Sequence, residues 1–260
     1  MHGQRDIRQV TRADILEMMD RAIERGAAYQ ANRIHSHLRK LFNWCLDRGK
    51  IEASPMTGTK APTREKARDR VLTPAEIARL VAACRAEPYP FGPYTLILLV
   101  TAQRRGEVAN MRWSEIDWEN KVWEIPGERS KNGRPHLVPL SPLALSVLRG
   151  IPRFEGCDLV FTTTRTSPIS GITKMVIRLQ DASDTRDWRL HDLRRTAATE
   201  MAKMGIVPHV VEKVLNHISG TISGVAAVYN RYGYDAEKRA ALTRWASLIK
   251  KLERAVPRSG

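Results

Sequence analysis

From Met56 to Arg70 the chain loses its apolar periodicity and becomes rich in proline, glycine, threonine and charge, the composition of an interdomain linker. That break divides the 260 residues into two unequal parts. Upstream there is room for only two or three helices. Thr11 to Arg25 has helical spacing, with Ile15, Met18, Met19, Ala22 and Ile23 to one side and Thr11 with Asp14 as the N-terminal cap. Gln30 to Asp47 continues the pattern, with Ile34, Leu38, Leu41, Phe42 and Cys45 as the face to be buried and a stop near Gly49. Downstream the pattern restarts sharply, because Thr73-Pro74-Ala75-Glu76 joins a capping box to a proline at the first helical position.

Beyond that start the periodicity is mostly helical. Tyr94 to Gln103 reads as a buried helix, and Val122 to Ile125 and His136 to Leu140 read as short strands joined through the turn signal Asn132-Gly133. Ser141-Pro142 opens another helix; Ile172 to Asp181, His191 to Met204, Pro208 to Leu215 and Asp235 to Glu253 follow. The expected fold is therefore mainly α with a small antiparallel β-sheet, of the α+β class. Its divisions fall at residues 1–58 for a small helical domain, 59–70 for the linker and 71–255 for the large domain.

Charge narrows the partners. With 43 Lys+Arg against 28 Asp+Glu, the chain carries a formal charge of +15, which attracts a polyanion irrespective of its sequence. A solubilising surface or a ribosome-associated protein would carry a similar balance. Cys45, Cys84 and Cys157 are too scattered for a zinc site or a disulfide scaffold and suit a reducing cytosol. The polar start Met1-His2-Gly3-Gln4-Arg5-Asp6 has no signal-peptide core, and the apolar run Leu96 to Val100 is too short to span a bilayer. A soluble, cytoplasmic protein without membrane contact is expected.

The residues with chemistry recur in a fixed order: Arg104 and Glu107 in Thr101-Ala102-Gln103-Arg104-Arg105-Gly106-Glu107, then Lys131 in Ser130-Lys131-Asn132-Gly133, then His191 and Arg194 in His191-Asp192-Leu193-Arg194. His217 follows in Leu215-Asn216-His217, and Tyr229 in Val228-Tyr229-Asn230-Arg231. Each alone has an ordinary explanation. Arg104 and Glu107, three apart where Gly106 breaks an apolar helix, make a structural ion pair or a fork for phosphate. Lys131 is a solvated turn lysine or a mobile ammonium near a leaving oxygen. His191 and Arg194 share a helix face, as many His-x-x-Arg pairs do. His217 is a helix-end histidine, and Tyr229, Tyr232 and Tyr234 could simply pack. The ordered set is much harder to assign to chance, since two arginines, a lysine, two histidines and a late tyrosine are what phosphodiester cleavage by a tyrosine needs.

In these motifs, together with Arg134-Pro135-His136 through Pro139-Leu140-Ser141 and Glu237-Lys238-Arg239-Ala240-Ala241-Leu242, the chain resembles the tyrosine recombinases, specifically the integrases of prophages and genomic islands. The likeness covers roughly residues 70 to 250 as catalytic domain, and the first helices look like a partial core-binding domain. The family's arm-type DNA-binding module is expected to be missing, and Ala102 and Asn216 stand where glycine is usual. The resemblance implies Tyr229 as nucleophile forming a 3′-phosphotyrosine, with Arg104, Arg194 and His217 on the phosphate oxygens. It further implies His191 as base, Lys131 as proton donor to the 5′-oxygen and Glu107 as a support, with no metal or other cofactor. It also implies double-stranded attachment-site DNA as substrate, a monomer when free, a tetramer on synapsed DNA, DNA-bending accessory proteins, and a place at the bacterial or phage-occupied nucleoid.

Two other classes compete. A degenerate, non-catalytic relative acting as a DNA-binding regulator would lack one of the arginines or the tyrosine, and all are present. A metal-dependent nuclease needs a cluster of carboxylate or histidine ligands, and no His-x-x-x-His or paired acidic motif stands in a suitable setting. The last helix carries the stripe Leu242, Trp245, Ile249 and Leu252, which must be buried somewhere. Assembly between protomers is the expected use, and packing onto its own domain the alternative.

Overall fold

The computed structural model describes residues 5–64, 68–217 and 233–255. They form two units, Met1–Arg68 and Asp69–Gly260.

In the first unit, helix α1 (Arg12–Glu24) begins at a reciprocal cap: the Asp14 amide donates to Thr11 Oγ1 at 3.3 Å, and the Thr11 amide donates to Asp14 Oδ2 at 2.9 Å. Ile15, Met19 and Ala22 are buried, whereas Ile23 turns outward. Helix α2 (Ala28–Asp47) buries Phe42 and Cys45 as expected, but also Asn32 and His35, while Leu41 is 43% exposed. Those two polar side chains enter the interior because they find partners there. Asn32 Nδ2 donates to the Thr63 carbonyl at 2.8 Å and Asn32 Oδ1 accepts the Thr63 amide at 3.1 Å; His35 Nε2 meets Thr59 Oγ1 at 3.3 Å. Residues 59–63, linker by composition, are thus tied to α2. Their threonines satisfy a helix interior that apolar periodicity alone does not describe. The opposite side of α2 leaves Tyr29 and Trp44 in solvent, with Arg48 and Lys50 over the Trp44 ring at 5.9 and 5.7 Å.

The second unit is organised by helix α4 (Phe91–Thr101), in which Gly92 and every residue from Tyr94 to Thr101 is buried. A helix without a polar face must be surrounded. Helix α3 (Pro74–Ala86), capped by Thr73 as expected, lies on it, and their connection closes tightly: a Cβ at Gly92 would stand 2.2 Å from the Cys84 and Glu87 carbonyl oxygens. Helix α4 ends sooner than its apolar run suggested. Ala102 adopts φ 57° and stops it, and Gly106, expected at the break, lies inside the short helix α5 (Arg105–Ala109).

The sheet has three antiparallel strands in sequence order, β1 (Ile116–Asp117), β2 (Val122–Ile125) and β3 (His136–Pro139). Trp123 pairs with Val138 and Ile125 with His136, and all four are buried, while Leu137 between them faces out. The two-residue β1 has too few positions to show an alternation, so periodicity does not reveal it. Helices α6 (Pro142–Arg149), α7 (Ile172–Ala182), α8 (Leu190–Lys203) and α9 (Pro208–Val214) follow.

The last helix, α10 (Asp235–Ala255), corrects the assembly expectation. Leu242, Trp245 and Ile249 are buried in their own unit, against α3, α4, α6, α8, α9 and β3. Trp245 Nε1 donates at 2.9 Å to the Leu99 carbonyl, one of the last carbonyls of α4 and so without a helical partner. At the other end, Lys238 Nζ donates to the Leu137 carbonyl at 2.9 Å and pairs with Asp235 at 2.7 Å, fastening the first turn to β3. Trp245→Ala is therefore expected to lower the unfolding free energy by about 3–5 kcal/mol, read from urea melts of the free protein. A stripe used only between protomers would leave those melts unchanged.

Candidate active site

The early end of α4 decides where Arg104 goes. After Ala102 the chain is extended at Arg104, which sits at the N-cap of α5 with its amide donating to Glu107 Oε2 at 3.1 Å. Arg104 Nη1 pairs with Glu107 Oε1 at 2.9 Å, and Glu107 is buried. Arg104 Nη2 donates at 2.9 Å to the carbonyl of Asn216, in the turn that follows α9.

Arg194 comes to the same turn from α8. That helix starts on Asp192, whose Oδ2 accepts the Arg189 amide at 2.8 Å, and it is held by buried Leu193, Ala197 and Met201. Arg194 itself is 3% exposed. Its Nη1 donates to the Ala102 carbonyl at 2.8 Å and its Nη2 to the Leu215 carbonyl. Burial, and then the positive charge of Arg104, draw its pKa down to about 10, which still leaves it a cation at neutral pH.

The two arginines thus hold consecutive carbonyls, Leu215 and Asn216, and Gln103 Nε2 holds the one before, Val214, at 3.0 Å. Those of Val214 and Leu215 end α9 and carry the negative end of its dipole, and that of Asn216 belongs to the turn beyond it. Carbonyls position both guanidiniums, and among the described residues Glu107 is the only carboxylate that binds one of them. A guanidinium has five N–H donors, so both retain capacity for an anion, and Arg104 keeps 21% of its side-chain surface in solvent.

His217 leaves the same turn. Its Nδ1 meets Glu212 Oε2 at 2.7 Å, which fixes the ring. His191 is exposed on the first turn of α8, its pKa lowered by partial burial and then by Arg194 and Arg195, with His217 adding to the effect. That shift favours the neutral imidazole, which can accept a proton. Lys131 is exposed in the β2–β3 connection. Tyr229 and Tyr232 lie outside the described residues. Tyr234, the remaining candidate of that cluster, is half-buried with its ring 5.1 Å from that of His209 and Lys213 above it at 5.7 Å, a packing role.

The structure therefore brings Arg104, Glu107, Arg194, His191 and His217 together around the end of α9. It also adds residues to which sequence reasoning gave no role. Gln103 was legible only as a neighbour of Arg104. His136, inside a quoted motif, lies beneath the site with Nε2 3.3 Å from the Val214 carbonyl. Ser130, Asn132 and Asn216 hydrogen-bond to one another. Asn216 stood out only as a residue in place of glycine, and its φ of 50° explains that preference.

His136 yields a pH prediction. Burial, then the Lys238 charge, lower its pKa to about 3 from 6.5. The unfolded chain therefore takes up the proton first as pH falls. The contribution is whole above pH 6.5 and is lost progressively towards pH 3, about 2 kcal/mol by roughly pH 5. His136→Gln should flatten the fall in urea stability between pH 7 and 5; an unchanged slope would remove His136 as its source.

Comparison with known proteins places the chain in a family. The phage integrase family matches residues 70–233, and the phage integrase central domain matches residues 1–61. Prophage integrase IntA of Escherichia coli K12 is 28% identical over 232 residues, covering 87% of this chain and 56% of that protein, so the chain spans little more than half of that relative. A lambda integrase fragment, residues 75–356, crystallised as a dimer bound to a COC′ core site, superposes with a TM-score of 0.65 at 25% identity, covering 84% of this chain and 83% of that one. Lambda integrase as a tetramer bound to a Holliday junction has the same fold, with a TM-score of 0.65 at 24% identity over 84% of this chain and 67% of that one.

Proposed function

The chain belongs to the phage integrase family, and from that premise we propose that it is a tyrosine-type site-specific recombinase. It cleaves and rejoins DNA strands through a covalent 3′-phosphotyrosine, integrating or excising a mobile element. The observation that carries the reading is the convergence of Arg104 and Arg194 on two consecutive carbonyls beside His217, with His191 adjacent. Two cations, a fixed imidazole and a neutral one, drawn from three separate helix ends, suit a phosphodiester whose charge grows during reaction.

In this reading the Tyr229 oxygen attacks phosphorus and the bond to the 5′-oxygen breaks. His191 takes the phenolic proton, which a free tyrosine with a pKa of about 10 gives up poorly at neutral pH. Arg104, Arg194 and His217 stabilise the nonbridging oxygens; preorganised donors of this kind are worth roughly 3–4 kcal/mol each. Lys131 protonates the departing 5′-oxygen. Glu107 orients Arg104. The phosphotyrosine conserves the bond, so reversal with a different 5′-hydroxyl rejoins the strands without an external energy source.

The substrate proposed is double-stranded attachment-site DNA, supported by the net charge of +15 and by the core-site complex of lambda integrase. The lambda tetramer on a Holliday junction supports a tetramer as the synaptic form; a monomer in the absence of DNA is part of the same proposal. DNA-bending accessory proteins and a nucleoid location follow from the same reading.

The test is a nicked duplex carrying the attachment core recovered from the junction of the excised element. The unvaried protein should form a covalent adduct that maps by peptide sequencing to Tyr229, and Tyr229→Phe should bind the duplex without forming it. An adduct on Tyr232 or Tyr234 would reassign the nucleophile, and binding without any adduct would leave a non-catalytic DNA-binding protein. Lys131→Ala should slow cleavage about 10²–10⁴-fold on an ordinary phosphate, the range of general-acid help. It should cost little where the 5′ leaving group is a thiolate, which departs without a proton; equal losses would take Lys131 out of that role.

A further inference from the structure

Asn216 presents two different faces to the site. Its carbonyl accepts Arg104, while its side chain closes a ring with the β2–β3 connection. Ser130 Oγ donates to Asn132 Oδ1 at 2.7 Å, Asn132 Nδ2 to Asn216 Oδ1 at 2.7 Å, and Asn216 Nδ2 back to Ser130 Oγ at 3.1 Å. Each group gives one hydrogen bond and takes one, an arrangement in which the bonds reinforce one another. Lys131 stands between two members of that ring.

We propose that Asn216 is a positioning residue that clasps the Lys131-bearing loop onto the turn carrying His217, through its closed ring with Ser130 and Asn132. The proposal rests on the recombinase reading, in which Lys131 delivers the proton to the leaving oxygen. Three further features support it.

The loop is already folded on itself. The Ser130 amide donates to the Pro126 carbonyl at 3.0 Å and the Gly133 amide to the Ser130 carbonyl at 3.0 Å. A Cβ at Gly127 would stand 2.9 Å from the Gly133 carbonyl oxygen, so the two limbs touch. What this local structure does not provide is an attachment to the arginines, since Lys131 itself is exposed. The ring provides it, and Ser130 is buried within it.

The backbone explains only part of the choice, since asparagine is the side-chain-bearing residue that best tolerates a left-handed turn. At φ 50° the turn would form more easily with glycine, which meets no Cβ penalty there. What glycine could not supply there is the side-chain amide, and both of its ends are used in the ring. Finally, the same residue joins the proton donor's loop to a phosphate-binding arginine, so both are referred to one point. A lysine on a free loop would spread its ammonium over many positions; one held at both flanks spends more of its time within reach of a single oxygen.

Asn216→Gly is a clean probe, because it keeps the left-handed turn and the carbonyl that Arg104 uses and removes only the amide. In the free protein it should raise tryptic nicking between Arg129 and Arg134 several-fold, and Ser130→Ala, which opens the ring elsewhere, should do the same. On the nicked attachment-core duplex both variants should cleave roughly 10-fold more slowly, part of the ~10²–10⁴-fold that general-acid help contributes. On the matching duplex with a bridging 5′-sulfur they should cleave nearly as fast as the unvaried protein. Unchanged nicking, or equal slowing on both duplexes, would overturn the proposal. If the unvaried protein forms no covalent adduct, the recombinase reading fails and takes the catalytic half of the proposal with it, while the nicking comparison still decides whether the clasp exists.

Discussion

The burial of α4 is the constraint from which the rest of the second unit's architecture follows. A helix with Leu96, Ile97, Leu98, Leu99 and Val100 all removed from solvent has no side left for water, and it must be enclosed by neighbours. Helices α3, α6, α8 and α10 and the short α5 provide the enclosure. Its end is equally consequential. Because Ala102 takes a left-handed conformation, the carbonyls near the end of α4 are released to outside donors, Leu99 to Trp245 and Ala102 to Arg194. The core and the site are therefore fastened at the same helix terminus.

The site arginines serve a second purpose as helix caps. Gln103 and Arg194 satisfy two carbonyls at the end of α9, and Arg104 the carbonyl of the turn just beyond it. Were the guanidiniums paired with carboxylates instead, their charge would be largely spent within the protein. Arg104 is so paired, with Glu107, but among the described residues the acceptors of Arg194 are backbone carbonyls. Holding Arg194 on neutral oxygens fixes its geometry while leaving its charge unspent, which is the condition for stabilising the developing charge of the proposed reaction without reorganisation.

How much of this was legible follows from what a residue's type encodes. Arg104, Arg194, His191 and His217 were legible because their chemistry is particular to them and their order is particular to the family. Their acceptors were not, since the carbonyls of Val214, Leu215 and Asn216 belong to the backbone and leave no mark in residue identity. Capping residues Thr11, Thr73 and Ser141 announced helix starts faithfully, because a cap is a local interaction. Long-range choices were hidden. Asn32 and His35 displaced Leu41 from the interior of the first unit through bonds to Thr59 and Thr63, and the stripe on α10 gave no sign of whether its own domain or another protomer would cover it. Asn216 was visible as an exception to glycine, but its purpose depended on Ser130 and Asn132, 86 and 84 positions earlier.

The caps on α9 have a thermodynamic corollary. Arg104 and Arg194 each bond both to the end of α9 and, in the proposed reaction, to the phosphate, so the two equilibria share donors. Any phosphate that draws a guanidinium away from Leu215 or Asn216 loosens the end of the helix that carries His217. By reciprocity, whatever shifts that end alters the affinity for phosphate by the same factor, and couplings of this kind typically amount to roughly 1–3 kcal/mol. Occupancy of the scissile phosphate and the position of α9 are thus linked variables. A neighbouring subunit or a bend in the DNA that pressed on α9 would reach the arginines through the carbonyls they already hold.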